Sequence, residues 1–318
     1  MDLSIVIPLL NEEGNIEALH QQLTDVLSDS SLSCEIIMVD DGSTDNSFEI
    51  LRRLAQTDVK LKVIRLRRNF GQTAAMSAGF DYAEGQIIIT LDADLQNDPK
   101  DIPVLLAKIN EGYDIVSGWR KDRQDPFWTR RFPSLAANRL TSIITGVHLH
   151  DYGCTLKAYR AEVVKNLRLY GEMHRFIPAV ASGMGVRIAE VPVNHHPRTH
   201  GNSKYGLSRT IRVVLDLITL KFQLSYSTRP MQVFGIFGLF CLGVGFVLLG
   251  YLGWVRIIFQ EAIGNRPLLW LAVLLEIIGV QFFMLGLLGE MMVRTQFDIK
   301  GKPIYSVKEV VNERLDKR

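Results

Sequence analysis

The 318-residue chain has few cysteines and almost no net charge. Its 3 cysteines, Cys34, Cys154 and Cys241, lie far apart and without metal-ligand spacing, which argues against a disulfide framework and fits a reducing compartment. Lys and Arg number 36 against 34 Asp and Glu, a net charge of +2. Because proteins that track nucleic acid phosphates carry a clear basic excess, we expect no nucleic-acid partner.

Two familiar nucleotide-binding loops are missing as well. The chain has no G-x-x-x-x-G-K-[ST] segment, and its first apolar strand pattern is followed by NEEGN instead of G-x-G-x-x-G. These absences argue against a P-loop enzyme and against a dinucleotide-dependent dehydrogenase.

Long apolar runs are present near the C-terminus. An uncharged run of about 25 residues covers 231–255 and, at about 1.5 Å per residue, spans a hydrocarbon core of about 30 Å. A second run, 268–289, is apolar except for Glu276 and Gln281. We predict a two-helix transmembrane hairpin over 231–293. Because Lys and Arg are more numerous on its flanks than in its loop, we expect a multi-pass inner-membrane protein with both termini cytoplasmic.

Glu276 lies well inside the second apolar run, where a charge costs about 3 kcal/mol. We expect its side chain to face protein, either paired across a helix interface or protonated. Glycines along both runs permit close helix packing, so we expect a homo-oligomer that forms through these helices.

The rest of the chain divides into three parts. Residues 1–205 alternate apolar strand patterns with amphipathic helix patterns. Residues 206–230 carry one apolar and one polar stripe at helical spacing, which predicts a helix in the membrane interface or, as the alternative, a helix packed on the soluble domain. Residues 294–318 are expected to form a cytoplasmic C-terminal tail.

Four strand patterns in the first part are almost wholly apolar: SIVIPLL, EIIMVD, LKVIRL and QIIITLD. Such strands are buried on both faces, and the helical segments between them supply right-handed crossovers. The alternation predicts an α/β fold with a doubly wound, mostly parallel sheet. Ligands of such sheets bind at the carboxyl ends of the strands.

Polar residues follow each of these four strands. In chain order they are Pro8, Asn11, Glu12 and Glu13, then Asp40 to Asp45, then Arg67 to Gly71, and then Asp92, Asp94 and Gln96. One such ending can be a helix N-cap, as we expect of Ser43, Thr44 and Asp45 for the next helix. Four consecutive endings rich in carboxylates and amides predict a binding site.

Asp92 and Asp94 form the most specific part of this pattern. Carboxylates two residues apart at the end of a strand point to the same side, so both can address one hard cation. Mg²⁺ and Mn²⁺ typically take one or two carboxylates together with substrate phosphates, and Gln96 continues the spacing. Since acidic clusters bind a nucleotide diphosphate only through a metal, the residues predict Mg²⁺ or Mn²⁺ as cofactor.

Four segments of this chain resemble the motifs of family 2 glycosyltransferases: IPLLNEEGNI, VDDGSTD, LRRNFGQTAAMSAGFDYAEG and TLDADLQNDP. Over its whole length the chain is similar to the branch with polyisoprenyl phosphate acceptors, which includes the bactoprenol glucosyltransferases and dolichol-phosphate mannose synthases. The resemblance implies a nucleotide-diphospho-sugar transferase domain of the GT-A type. The Q-x-x-R-W motif of processive synthases is absent, which argues against repeated sugar addition.

The resemblance also implies roles for single residues on the donor side. Asp92 and Asp94 would act in catalysis and, with Gln96, bind the metal. The nucleotide-sugar would be contacted by Pro8, Asn11, Glu12, Asp40, Asp41, Asp92 and Ala93.

On the acceptor side, the loop PRTHGNSKYG resembles the family's R-x-x-G-x-S-K segment, which contacts phosphate. The implied ligands of the lipid phosphate are Arg120, Arg131, Arg198, Ser203 and Lys204. For any single one of them, a basic surface facing anionic lipid is the alternative.

Asp151 lies where family members place a catalytic carboxylate near the acceptor. A phosphate monoester, with a second pKa near about 6, is already anionic at neutral pH, so Asp151 either acts as a base or only orients the substrates. His174 and Arg175 either serve the sugar or pyrophosphate or are structural.

The resemblance thus implies inverting transfer of a hexose, glucose from UDP-glucose, to undecaprenyl phosphate at the cytoplasmic membrane face. The product would be a polyprenyl-phospho-sugar for envelope or lipopolysaccharide glycosylation. Mannose, N-acetylglucosamine or aminoarabinose as the sugar, diacylglycerol as the acceptor, and a non-enzymatic membrane role remain alternatives.

Overall fold

The computed structural model describes residues 1–28, 30–121, 138–139, 141–143, 145–169, 171, 173–197, 230–298 and 303–312. The chain forms two compact units, which are described separately here. One is an α/β domain that combines Met1–Leu217 with Pro303–Arg318, and the other is a helical hairpin within Ile218–Lys302. The predicted interfacial helix, 206–230, lies outside the described residues except for Pro230.

The α/β domain is built on an 8-stranded sheet. Its strands are β1 (Leu3–Leu9), β2 (Cys34–Asp40), β3 (Leu61–Leu66), β4 (Ile87–Thr90), β5 (Ile115–Trp119), β6 (Lys157–Arg160), β7 (Ile188–Pro192) and β8 (Val307–Val311). The order across the sheet is β7-β5-β6-β4-β1-β2-β3-β8. Strands β4, β1, β2 and β3 are parallel, whereas β6 runs antiparallel to β4 and β5. The mostly parallel sheet predicted from the four apolar runs is confirmed.

Helices cover both faces of this sheet. They are α1 (Ile16–Ser28), α2 (Ser47–Thr57), α3 (Gln72–Tyr82), α4 (Ile102–Asn110), α5 (Ala161–Lys165) and α6 (Ile177–Ser182), with 3₁₀ turns at Pro99–Asp101 and Met173–Phe176. Apolar side chains of α1, α2 and α4 form the core on one face, and those of α3, α5 and α6 form the core on the other. Successive residues of β1 supply both cores, Ile5 and Ile7 to the first and Val6 to the second, because side chains alternate along a strand.

The C-terminal segment contributes an edge strand that the sequence patterns did not predict. Strand β8, within the expected tail, pairs antiparallel with β3. Beside it, the Tyr305 hydroxyl donates a hydrogen bond of 2.7 Å to Asp81 Oδ2, and the Asn312 amide donates to the carbonyl oxygens of Ala55, Asp58 and Leu61. Residues 303–312 are therefore part of the folded domain.

The hairpin consists of α7 (Pro230–Ile258) and α8 (Pro267–Asp298). Segments of 28 residues in α7 and 23 residues in α8 are long and apolar enough to cross a membrane, as predicted. The helices approach each other closely at two glycines: a Cβ on Gly238 would lie 2.8 Å from the Gly279 carbonyl oxygen, and a Cβ on Gly279 would lie 2.9 Å from the Gly238 carbonyl oxygen. Further along, a Cβ on Gly245 would lie 2.9 Å from Oε1 of Glu276.

Candidate active site

The loops that follow β1 and β2 are joined by hydrogen bonds. The backbone N–H of Asn11 donates to Ser43 Oγ at 2.9 Å, and Asn11 Oδ1 accepts from the N–H of Thr44 at 2.8 Å. The N–H of Glu12 donates to Ser47 Oγ at 2.9 Å. Asn11 adopts the left-handed region at φ 55°, which an asparagine tolerates better than most residues. These contacts hold the first two strand ends together as one surface.

The helix cap expected from Ser43 and Thr44 is wrong. The Ser43 hydroxyl and the backbone N–H of Thr44 form hydrogen bonds with Asn11 instead. The N-cap residue of α2 is Asn46, and its side chain makes no capping hydrogen bond. Only Asp45 acts near the expected place, because its Oδ1 accepts from the N–H of Ser47 at 3.0 Å.

Asp41 links the second strand end to the third. Its two carboxylate oxygens accept from the backbone N–H groups of Phe70 at 2.7 Å and Gly71 at 2.9 Å. Burial raises the pKa of Asp41, and these two hydrogen bonds oppose that rise. The neighbouring Gly42, at φ 75°, makes the approach possible, since a Cβ there would lie 2.6 Å from the carbonyl carbon of Arg68.

Asp40 is fully buried at the end of β2. Its Oδ1 accepts from the N–H of Ser43 at 2.8 Å. Its Oδ2 lies 3.6 Å from Arg65 Nε and has no hydrogen-bond partner among the residues that the structure describes. The side chain therefore stabilises the turn, and a contact with nucleotide stays a prediction.

The two carboxylates after β4 lie side by side in a partly buried position. Asp92 accepts from Gln72 Nε2 at 2.8 Å on one oxygen and from Thr155 Oγ1 at 2.8 Å on the other. Burial and the nearby Asp94 carboxylate raise the pKa of Asp92 to about 6. Asp94 is buried, and its Oδ1 accepts from the N–H of Gln96 at 3.2 Å. A divalent cation would offset the repulsion between these two groups, so Asp92 and Asp94 fit a metal.

The part of the chain that the structure describes holds no complete metal site made of protein ligands alone. Within the described ranges, no group of three or more His, Cys, Asp and Glu side chains could hold a metal ion. This matches a Mg²⁺ or Mn²⁺ whose remaining ligands come from substrate phosphates and water. The Gln96 amide nitrogen donates to the His196 carbonyl oxygen at 3.4 Å, and Gln96 as a third ligand stays a prediction.

Arg120 and Asp151, for which the sequence predicted separate roles, form one ion pair. Arg120 Nε lies 2.6 Å from Asp151 Oδ2, and Arg120 Nη2 lies 3.0 Å from Oδ1. The N–H of Gly153 also donates to Oδ1 at 3.0 Å, and Asp151 is only 3% exposed. A carboxylate engaged on both oxygens by a guanidinium is poorly placed to take a proton, which favours the orienting alternative for Asp151.

The sequence analysis did not predict a role for several residues of this region. Thr155, which donates to Asp92, is an ordinary polar residue without a local signal, whereas Gln72, which also donates to Asp92, lies in the motif LRRNFGQTAAMSAGFDYAEG and was given no role of its own. Lys157 is 2% exposed at the start of β6 and donates to the carbonyl oxygens of Tyr152 and Cys154. Burial lowers its pKa. A charged residue inside the apolar segment CTLKAY was the available signal for Lys157.

His174 is buried, and its Nδ1 lies 2.7 Å from Thr73 Oγ1 at the start of α3. This contact fits the structural alternative. Its neighbour Arg175 lines the same small cavity as Thr155 and Lys157.

The remaining predicted residues fall into two groups. Pro8 in β1, opposite Val39, and Ala93, between the two aspartates, are both buried, and their contacts with donor stay predictions. The other group lies outside the described residues: Arg131, Arg198, Ser203 and Lys204.

The mixed sheet with acidic strand ends is of the GT-A type, a fold of sugar-nucleotide transferases. The fold agrees with glucosyl-3-phosphoglycerate synthase from Mycobacterium tuberculosis, solved in complex with Mn²⁺, uridine diphosphate and phosphoglyceric acid. The TM-score is 0.54 and the identity 22%, over 70% of this chain and 78% of that one. The model of glycosyl transferase family 2 matches residues 4–168, and the chain belongs to this family.

Two relatives are similar over almost the entire chain. Dodecaprenyl-phosphate galacturonate synthase of Rhizobium johnstonii is 44% identical over 317 residues, which cover 98% of this chain and 94% of the relative. Undecaprenyl-phosphate 4-deoxy-4-formamido-L-arabinose transferase of Aeromonas hydrophila is 38% identical over 311 residues, which cover 97% of this chain and 94% of the relative.

Proposed function

We propose that this glycosyltransferase moves one sugar from a nucleotide-sugar to a polyprenyl phosphate. The observation that carries the proposal is the convergence of three strand ends on the Asp92–Asp94 pair. Asp41 accepts hydrogen bonds from Phe70 and Gly71 in the loop after β3, and Gln72, which follows that loop as the first residue of α3, donates one to Asp92. The names of the two long relatives support the lipid acceptor, since both refer to a polyprenyl phosphate.

The chemistry follows from the charges at this edge of the sheet. Asp92 and Asp94 would hold Mg²⁺ or Mn²⁺, which when bound offsets the negative charge of the departing nucleoside diphosphate. Thr155 and Gln72 fix the Asp92 carboxylate, so that little reorganisation is needed when donor arrives. A lipid phosphate oxygen then attacks the anomeric carbon in line, which inverts its configuration.

The acceptor needs positioning more than activation. Its phosphate is anionic at neutral pH, so no base has to remove a proton. Arg120 and Asp151 would set the geometry on the acceptor side as a buried pair. Arg131, Arg198, Ser203 and Lys204 stay candidates for contacts with the lipid phosphate.

The identity of the sugar is the finer part of the proposal. Glucose is the sugar expected from the sequence motifs, whereas the names of the two relatives carry galacturonate and 4-deoxy-4-formamido-L-arabinose. We therefore propose that the donor is a UDP-sugar, and that UDP-galacturonate is tested beside UDP-glucose and the formamido-arabinose nucleotide.

The sheet supports a membrane arrangement in which both flanks of the hairpin lie on one side. Residues before α7 and residues after α8 belong to the same sheet, which they share through β3 and β8. If α7 and α8 cross the inner membrane, both termini lie on the same side, and the basic flanks make that side cytoplasmic. Homo-oligomerisation through these helices stays a prediction, which chemical cross-linking in bilayers tests.

Transfer can be measured with the full-length protein in lipid nanodiscs. The assay supplies undecaprenyl phosphate, Mn²⁺ or Mg²⁺ and each of the three donors, with diacylglycerol as a second acceptor, and mass spectrometry detects the sugar-lipid. We expect polyprenyl-phospho-sugar with one donor, loss of product with EDTA, and none with diacylglycerol. Product on diacylglycerol alone, or no product in any combination, would overturn the proposal.

A further inference from the structure

Glu190, on β7, is a partly buried carboxylate outside the predicted site. Its side chain is 11% exposed and reaches the turn that contains His150 and Asp151. Glu190 Oε1 accepts from the backbone N–H groups of both residues at 3.0 Å, and Oε2 lies 2.7 Å from His150 Nδ1. One carboxylate thus contacts two backbone N–H groups and one imidazole nitrogen of a single turn.

The same turn is held from a second direction. The His150 ring stacks on the Trp119 ring with 4.4 Å between centroids and 20° between planes. Trp119 ends β5, which pairs in parallel with β7 and is followed directly by Arg120. Strands β5 and β7 therefore position both partners of the Arg120–Asp151 pair, β5 through the chain itself and β7 through Glu190.

We propose that Glu190 is a positioning residue that fixes the backbone of Asp151, so that its side chain meets Arg120 in the bidentate geometry. The inference rests on the proposed function, in which that pair orients the acceptor. Glu190 touches neither reacting group. Because the geometry of a buried ion pair is sensitive to its supporting hydrogen bonds, loss of the carboxylate displaces Asp151 while the donor side around Asp92 is unchanged.

The test compares three variants of the full-length enzyme. In Glu190→Ala the turn loses all three contacts, and we expect kcat to fall about 10- to 100-fold while the donor KM stays within about 2-fold. Glu190→Gln keeps one acceptor oxygen for the two backbone N–H groups, and we expect it to recover most of the loss, to within about 3-fold of wild type. The matched control is Glu111→Ala, an exposed glutamate paired with Lys108, which should leave kcat unchanged.

A second measurement is independent of transfer. We expect hydrogen exchange in Glu190→Ala to accelerate over 148–153 and to stay at the wild-type rate over 88–96. Wild-type kcat in Glu190→Ala, or a donor KM that rises together with the fall in kcat, overturns the inference. If the wild-type enzyme transfers no sugar, the proposed function fails, and hydrogen exchange alone decides this inference: unchanged exchange over 148–153 overturns it.

Discussion

The α/β domain and the helical hairpin accommodate acidic side chains in opposite ways. In the α/β domain, Asp41, Asp151 and Glu35 are buried and accept hydrogen bonds from backbone N–H groups, with Arg120 and Lys62 as additional partners of the last two. In the hairpin, Oε1 of Glu276 is buried beside Gly245 and has no hydrogen-bond partner among the described residues. The domain provides donors to its buried acids, whereas the described part of the hairpin provides none to Oε1 of Glu276.

The difference teaches how each acid affects folding. An acid surrounded by donors stays ionised and contributes to a fixed geometry, which a metal or phosphate site requires. An acid in a span without a donor is favoured in its neutral form, because an unpaired charge is costly in hydrocarbon. For Glu276 the structure shows one buried carboxylate oxygen without a hydrogen-bond partner among the described residues, and both alternatives, a pair across a helix interface and a protonated acid, stay predictions.

The largest effect on activity is expected for an acid that is proposed to bind a ligand and that contributes little to the stability of the fold. Asp94→Ala should lower transfer by about 10³-fold or more, because in the proposed function the diphosphate would lose its link to the metal. Melting temperature should stay near the wild-type value. Radiolabelled sugar transfer and a thermal melt measure the two, and Asp25→Ala on the exposed face of α1 is the control. Full activity in Asp94→Ala would contradict the metal site.

The next effect tests an acid whose partner is a cation. Glu35 accepts from the N–H of Glu84 at 2.7 Å, from Ser4 Oγ at 2.6 Å and from Lys62 Nζ at 3.2 Å. Lys62→Met should lower the free energy of unfolding by about 3–5 kcal/mol, since the Glu35 charge stays buried without its cation. Urea unfolding measures this.

The double variant Lys62→Met with Glu35→Gln provides the control for that result. Removing the stranded charge should recover part of the loss. If the loss of stability in the double variant equals the sum of the losses in Lys62→Met and Glu35→Gln, burial of an unpaired Glu35 charge does not cause the instability of Lys62→Met.

A smaller effect is expected for Asp41, whose partners are neutral N–H groups. Asp41→Asn leaves only one acceptor oxygen for Phe70 and Gly71, which should cost about 1–3 kcal/mol. Because burial raises the pKa of Asp41 above its ordinary value, the folded wild type binds the proton more tightly than the unfolded chain. The free energy of unfolding of the wild type should therefore fall as pH rises from the ordinary pKa of an aspartate through the raised pKa of Asp41. Asp41→Asn should lack this contribution to the pH dependence of stability.

In the hairpin, the corresponding test fills the space between the two helices and leaves the hydrogen-bond donors unchanged. A Cβ on Gly245 would meet Glu276 Oε1 at 2.9 Å and the Ala272 carbonyl oxygen at 3.2 Å, whereas Gly243 on the same helix has nothing within 4 Å. Gly245→Ala should weaken helix packing by about 1–3 kcal/mol, and Gly243→Ala should not. Hydrogen exchange of α7 and α8 in nanodiscs measures the difference. Equal effects of the two alanines would remove the packing argument.

The smallest effect is expected for Glu276→Gln. Gln keeps the size of the side chain and an oxygen beside Gly245, so stability should change by less than about 0.5 kcal/mol and transfer should be unchanged. A large loss would show that the carboxylate itself has a partner, with a cation of a second copy as the candidate. Such a result would make the two regions alike.

Local patterns were sufficient to predict the first half of the sheet and its acidic ends. Strands β1 to β4 are short apolar runs, and the residues after each run are neighbours in sequence as well as in space. Asp92 and Asp94 are recognisable for that reason. The expected cap at Ser43 failed because a loop 32 residues away competes for the same hydroxyl.

The second half depends on contacts between distant segments. Glu190 meets Asp151 across 39 residues, and Thr155 meets Asp92 across 63, so neither pairing has a signature in one stretch of chain. Strand β8 does have a local signal, since three of its five residues, VKEVV, are the β-branched valine, but it follows the hairpin and lies in the segment expected to be a tail. The pairing of Arg120 with Asp151 likewise needs the strand order, which composition and periodicity do not contain.

The position of β8 at the end of the chain also has a consequence for biosynthesis. The edge of β3 is covered by a strand that the ribosome makes roughly 240 residues later, after both apolar helices, which takes roughly 10 to 50 s at about 5–20 residues per second. Until then, β3 presents unpaired backbone groups that invite association with other chains. Delivery of the hairpin to the membrane during translation would keep the nascent domain tethered apart from its copies through this interval, so that insertion precedes completion of the sheet.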